Sequence, residues 1–144
     1  MTLDLIDLEQ ERAYPPRQSD FTKPFWDNLT RGIFTTTRCD SCNRPSFPPK
    51  PICPHCWTDQ VSWIELEGAG TLYSKTTVHA GPAAFVRDLP YSVGIIDLDE
   101  GLRIAARIIG DVNIGDRVEL VVLSYIDGPL YAAKRYTVRL TSSA

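Results

Sequence analysis

Residues 39–57 read Cys39-Asp40-Ser41-Cys42-Asn43-Arg44-Pro45-Ser46-Phe47-Pro48-Pro49-Lys50-Pro51-Ile52-Cys53-Pro54-His55-Cys56-Trp57, and all 4 cysteines of the 144-residue chain fall inside this stretch. They form two C-x-x-C pairs with a ten-residue spacer between them. A C-x-x-C turn aims two thiolates at one point, and two such turns supply the four soft ligands of a tetrahedral zinc site. Cys39, Cys42, Cys53 and Cys56 are therefore the expected metal ligands. Four thiolates leave no coordination position for water or substrate, so one structural zinc per chain is expected and catalysis at it is not. His55 lies between the second pair, where both knuckles already have their cysteines, and reads as an exposed knuckle residue.

Three other uses compete for the cysteines. Disulfides belong to oxidising compartments, and Met1 to Arg12 alternates acids with isolated leucines instead of forming a secretory leader. A thioredoxin-type redox centre needs one C-x-x-C beside a βαβ pattern, which the sequence lacks. Iron takes the same four thiolates, so zinc versus iron stays open at this level.

Outward from the cysteines, the chain divides by composition. Residues 1–32 are an arm and a helix: a polar, charged stretch to Ser19, broken by Tyr14-Pro15-Pro16-Arg17, then a helix begun near Asp20 or Thr22. Pro24 suits the first turn of that helix and Gly32 its end. The arm reads as extended and ordered only where it lies on something, with a short helix over Leu3 to Arg12 as the alternative. Phe25 and Trp26 are neighbours on the helix and point about 100° apart, so one narrow seam cannot bury both. Either they pack on different elements, or the second is kept for a partner.

Residues 33–66 form the metal-binding ribbon. Ile33 to Arg38 alternates as a strand into the first knuckle, and five prolines (Pro45, Pro48, Pro49, Pro51, Pro54) stiffen the cysteine-rich segment. So small a segment has no core of its own, and metal binding should supply much of its folding free energy.

Residues 67–144 read as all-β. Val61 to Glu67 ends at Gly68-Ala69-Gly70, and Thr71 to His79 is rich in β-branched and aromatic residues. A loop at 80–90 follows. Strands are expected at Tyr91–Asp97, Leu102–Ile109, Arg117–Tyr125 and Leu130–Leu140, separated by the turn signals Asp99-Glu100-Gly101, Asn113-Ile114-Gly115-Asp116 and Asp127-Gly128-Pro129. Five or six short strands in about eighty residues suit a small Greek-key barrel of the OB type. The fold class is mainly β, with an N-terminal helix, a zinc ribbon and a C-terminal OB-fold barrel.

The order of these parts resembles the family catalogued as domain of unknown function thirty-five. The resemblance rests on the Pro24-Phe25-Trp26 helix, the two C-x-x-C pairs around Phe47-Pro48-Pro49-Lys50, and Gly68-x-Gly70-x-Leu72. It continues through Pro90-Tyr91, Leu98-Asp99-Glu100-Gly101 and Ile114-Gly115-Asp116, and so covers roughly Asp20 to Arg139. One departure is that Asn43 and Trp57 stand where zinc knuckles often carry glycine. The resemblance implies a rubredoxin-like zinc ribbon followed by an OB-fold. It also implies a non-catalytic subunit that docks on a thiolase-fold enzyme and helps close its acyl-CoA site. CoA or acyl-CoA would then be contacted within a hetero-oligomeric complex that carries out thiolytic or aldol cleavage, or condensation.

The residues agree with a non-catalytic role. Thiolase chemistry needs a nucleophilic cysteine and a histidine base, yet the metal claims every cysteine and only His55 and His79 remain. No G-x-S-x-G elbow, phosphate-binding glycine loop or dinucleotide fingerprint occurs. Asp97, Asp99 and Glu100 are explained by a hairpin turn. His79 ends a strand where an OB barrel often opens, and reads as solvent-facing. Lys75, Arg103, Arg107, Lys134 and Arg135 could meet CoA phosphates, or simply coat a solvated face.

Two alternatives remain open. OB-folds and ribbons both occur in single-stranded nucleic-acid binding, but the net charge of −3 argues against it. Ten acids face seven bases before Gly70, and eight balance eight after it. A free-standing acyl-CoA binder or hydrolase is the other. No apolar run approaches a membrane span, and the cytoplasm is the expected compartment.

Overall fold

The chain runs β1 (Leu5–Asp7), α1 (Lys23–Thr30), β2 (Phe34–Cys39), β3 (Pro45–Ser46), β4 (Val61–Leu66), β5 (Ala69–Val78), β6 (Tyr91–Leu98), β7 (Arg103–Ile108), β8 (Arg117–Tyr125) and β9 (Gly128–Arg135) in the computed structural model, which describes residues 2–137. Strands β5 to β9 close on themselves. β5 pairs antiparallel with β6 and β8, β6 with β7, and β8 with β9. The parallel pairing of β7 with β9, Arg107 opposite Ala132 and Ile108 opposite Ala133, completes a five-stranded OB-type barrel. The expected last strand reached Leu140; it is seen as far as Arg135, and its end lies outside the described residues.

Alternation sets which side chains fill the barrel. On β7, Ile104, Ala106 and Ile108 are buried, while Arg103 and Ala105 face out. β8 departs from simple alternation because both of its faces are covered. Val118, Leu120 and Val122 join the barrel core, and Val121, Leu123 and Tyr125 form a second cluster on the other face. That second cluster is roofed by Ile6 and Leu8 of the N-terminal arm together with Ile109 and Leu130.

The arm is thus extended, as the first of its two readings held. β1 adds in parallel to β8, with Leu5 opposite Val122. Its far end is fastened by Arg12, a buried cation that donates to the carbonyls of Asp127 (2.7 Å) and Pro129 (3.3 Å) while its backbone N–H reaches Asp127 Oδ1 at 2.9 Å. The guanidinium lies on Gly128, where an added Cβ would come within 2.6 Å of it, so only glycine fits. Arg12→Ala should strand two partly buried carbonyls at a cost of about 1–3 kcal/mol, seen as faster hydrogen exchange at Leu8 and Ile126. The Asp127 carboxyl is held below its ordinary value, chiefly by the Arg12 N–H and also by the guanidinium charge, against the opposing effect of burial. A lowered carboxyl stabilises the fold above its unfolded pKa and loses that contribution as pH falls through the folded value. Acidification should therefore release the arm, and the same exchange measurement reports it.

Helix α1 links the two sheets. Pro24 sits in its first turn and Thr22 at the N-cap, but the Thr22 hydroxyl bonds Ser19 and leaves the helix end without a side-chain cap. Gly32 closes it at φ +80°, and its carbonyl accepts from the Leu3 N–H. The packing of Phe25 differs from the expectation that neighbouring aromatics would serve different elements. Phe25 touches both sheets at once, with ring centroids 5.6 Å from Phe34, 5.8 Å from Phe47 and 6.3 Å from Tyr131. Phe25, Leu29, Phe34 and Leu66 share one core with the barrel residues. The loop expected over 80–90 contains a 3-10 turn, Ala83–Asp88, held by an Asp88–Arg107 ion pair at 3.2 Å.

Candidate metal centre and adjoining cavity

The smaller sheet runs β3-β2-β4 and presents the two cysteine turns. β2 delivers Cys39, paired in register with Val61 at the start of β4. Near the cysteines little apolar material is buried in this sheet, because its buried apolar pair Phe34 and Leu66 sits at the opposite end, in the core shared with the barrel. Its interior positions hold Thr35, Thr36, Thr37 and Ser46. Two of these hydroxyls carry the spacer: Thr36 Oγ1 donates to the Ser46 carbonyl, and Thr37 Oγ1 both donates to the Lys50 carbonyl at 3.1 Å and accepts from the Lys50 N–H at 2.9 Å. Prolines 45, 48, 49 and 51 cannot donate to a ladder, so side-chain hydroxyls replace part of it.

The four Sγ atoms lie within 4.8 Å of one another. Cys39 Sγ is 3.4 Å from Cys56 Sγ, and Cys42 Sγ is 3.6 Å from Cys53 Sγ, far from the roughly 2.05 Å of a disulfide. A tetrahedron with metal–sulfur bonds of about 2.3 Å has edges of about 3.8 Å, so the spacing suits four thiolates around one zinc. Backbone N–H groups of Ser41 and Cys42 point at Cys39 Sγ, both at 3.3 Å, and that of His55 at Cys53 Sγ at 3.4 Å. These second partners orient and stabilise thiolates, as in knuckle sites generally.

The charges show why a cation is needed. The Cys39 thiol is lowered to about 6, chiefly by the Cys42 N–H. Cys56 goes the other way, to about 11: the Thr58 N–H pulls it down, but the Cys39 sulfur, burial and the Cys53 sulfur outweigh it. Four sulfurs this close cannot all ionise on their own, and a divalent ion removes that conflict. The site therefore has four cysteines positioned for metal binding, with the full set of donors that zinc takes.

Asn43 and Trp57, each directly after a C-x-x-C pair, adopt φ +62° and +65°. They are the two non-glycine residues among those described with positive φ. The knuckle turn demands the left-handed conformation, which asparagine tolerates and tryptophan does not. Trp57 is also 80% exposed, so the strain is repaid by no packing within the chain. Trp57→Gly should stabilise the isolated protein by about 1 kcal/mol, read from the urea midpoint, and Asn43→Gly by less.

Other singled-out residues are placed as follows. His55 and His79 are both exposed and far apart in the chain. Asp97 pairs with Arg103 at 2.6 Å, Asp99 with Arg117 at 2.7 Å, and Glu100 Oε2 accepts from the Glu67 N–H, so the hairpin acids hold the turn. Lys75 donates to the Val112 carbonyl, and Arg107, Lys134 and Arg135 meet Asp88, Glu119 and Asp116. The five cations named as candidates for CoA phosphates are all engaged inside the chain.

Sequence reasoning missed a cavity of about 540 Å3 between the arm, α1, the proline spacer and the barrel. Trp26, Phe47, Tyr131, Val93, Ala105 and Leu130 are among its lining residues. Alternation on β7 and β9 carries the signal for part of it, since Ala105 and Leu130 are apolar on outward positions.

With the geometry in place, comparison with known proteins is informative. Residues 26–62 match the family described as "ChsH2, rubredoxin-like zinc ribbon domain", and residues 63–123 match "ChsH2, C-terminal OB-fold domain". A "DUF35 domain-containing scaffold protein" of Methanocaldococcus jannaschii is 39% identical over 58% of this chain and 63% of its own length. "Benzoylsuccinyl-CoA thiolase subunit BbsA" of Thauera aromatica is 39% identical over 59% of this chain and 60% of its own. The chain thus spans somewhat under two thirds of the length of these curated relatives. A solved chain of the "Ltp2-ChsH2(DUF35) aldolase" superposes with a TM-score of 0.72 at 27% identity, covering 84% of this chain and 98% of that one.

Proposed function

Since the chain belongs to the DUF35 family of zinc-ribbon plus OB-fold proteins, we propose that it is a non-catalytic accessory subunit of a thiolase-fold enzyme acting on acyl-CoA, bound to that enzyme and helping to form or close its acyl-CoA site. The observation that carries this reading is the company the fold keeps. One relative is described as a thiolase subunit, and the solved chain that matches almost end to end belongs to an aldolase. The residues support it: the 4 cysteines of the sequence converge on one point, so none of them is left to serve as a thiolate nucleophile for acyl transfer.

In this reading Cys39, Cys42, Cys53 and Cys56 hold one structural zinc, whose chemistry is to fix the ribbon and not to activate substrate. We place the divisions of the chain at 32/33 and 66/67, with arm and helix, ribbon and barrel as its parts, and its compartment as the cytoplasm. Among the described residues no helix is long and apolar enough to cross a membrane. CoA contact belongs to the assembled complex in this reading, because the five candidate cations Lys75, Arg103, Arg107, Lys134 and Arg135 are already engaged within the chain. Trp57, strained and exposed, is the side chain best suited to a protein interface, where tryptophan is enriched.

Co-expression of tagged protein with its neighbouring genes tests the docking. A thiolase-fold partner should be retained in fixed stoichiometry, and Trp57→Gly should weaken that retention while stabilising the lone chain. Purification as a monomer from the same co-expression would contradict the subunit role.

A further inference from the structure

The cavity of about 540 Å3 has the size of a small-molecule site and is not consumed by the barrel or by the metal centre. Its walls are mostly apolar, yet two features give it a chemical preference. Tyr131 is locked by edge-to-face contacts with Phe25, Phe34 and Phe47, at 6.3, 5.5 and 5.8 Å. Its hydroxyl has no hydrogen-bond partner among the described residues, although a largely buried phenol ordinarily finds one. Arg17 lines the same cavity from the arm, and among the described residues its guanidinium has neither an ion pair nor a hydrogen bond. Arg107, the other cation of the lining, is already neutralised by Asp88 at 3.2 Å and lies over the Tyr91 ring at 4.4 Å. No carboxylate belongs to the lining. A cationic guest is therefore disfavoured despite the aromatic walls, and an acceptor with negative charge is favoured.

We propose that this cavity binds an aromatic or alicyclic carboxylate. The apolar ring occupies the space between Trp26 and the Val93–Ala105 wall, Tyr131 donates a hydrogen bond to the guest, and Arg17 supplies the counter-charge. Arg17 sits on the arm and Trp26 on α1, so the guest would also tie these to the barrel. The property belongs to this chain alone, and it stands or fails apart from the subunit role.

Titration calorimetry of the metal-loaded full chain with 2-naphthoate, and with 2-naphthamide as its uncharged counterpart, tests the proposal. One saturable site is expected, with the acid bound about tenfold more tightly than the amide, as a charge-assisted contact requires. Arg17→Gln should bring the acid down to the level of the amide. Ala105→Trp, at an exposed position whose side chain fills the cavity, should weaken both probes by at least about tenfold. Circular dichroism and zinc content confirm that each variant is folded. Absence of saturable binding, equal affinity for acid and amide, or binding indifferent to Ala105→Trp would each overturn it.

Discussion

Cys53→Ser should abolish stoichiometric metal and with it the fold of the ribbon. Cys53 is 2% exposed and its sulfur lies 3.6 Å from that of Cys42, so serine removes a ligand from the interior of the site. Structural zinc contributes an apparent free energy of about 10–16 kcal/mol in small metal domains. Whole domains are stable by only about 5–15 kcal/mol. Little hydrophobic reserve compensates near the metal, because between Phe34 and Arg38 the buried positions of β2 are threonines, and the hydroxyls of Thr36 and Thr37 are spent on the spacer. Metal content should fall well below one per chain and solubility should drop as Phe47 and Leu66 lose their cover. The barrel, with its own closed hydrogen bonding, should keep its strand signals. A soluble, fully folded variant without metal would show that the zinc is not structural.

Phe34→Ala should be the most damaging change outside the thiolates. Phe34 is 0% exposed, stacks on Phe47 at 5.3 Å, and meets Phe25 and Tyr131 edge-on at 5.6 and 5.5 Å. With Phe25 and Phe47, it joins β2 of the ribbon, α1 and β9 of the barrel. Deleting a buried phenyl ring costs about 3–5 kcal/mol, and each lost aromatic pair carries about 0.5–1.5 kcal/mol beyond burial. Urea unfolding should show a lowered midpoint, corresponding through the slope m to that loss of free energy. Metal content should stay near one per chain, because Phe34 lies five residues before Cys39 and supplies no ligand atom. A loss under about 1 kcal/mol would mean that ribbon and barrel do not share a core.

How much of this was legible in the sequence depends on whether the signal was local. The cysteine spacing carried the clustering of the four sulfurs, which lie within 4.8 Å of one another, because a C-x-x-C turn is a local object, and the barrel strands followed from alternation and turn residues. β7 shows this well: Ile104, Ala106 and Ile108 inward, Arg103 and Ala105 outward. β8 shows the limit. Its Val121-Val122-Leu123 run is buried on both faces because the arm, Ile109 and Leu130 cover the outer one, and the arm's contact spans more than a hundred residues, which no window contains. Arg12 looked like one more charge in a polar arm, and its burial against Asp127 has the same long-range origin. The three threonines before Cys39 passed as an ordinary β-rich run, although a spacer so rich in proline had to find its hydrogen bonds in side chains. Asn43 and Trp57 were visible as departures from glycine, but the left-handed backbone that makes them costly appears only in the folded turn. The cavity was least legible, since its lining comes from the arm, α1, the spacer and three strands.

Turnover by purified components tests the subunit role most directly. The thiolase-fold partner alone, this chain alone and the reconstituted pair should be assayed on one acyl-CoA substrate, with the partner's reactive cysteine intact and then alkylated. Activity is expected only from the pair, and it should vanish on alkylation of the partner. Turnover by this chain alone, or undiminished turnover by the partner without it, would contradict the account.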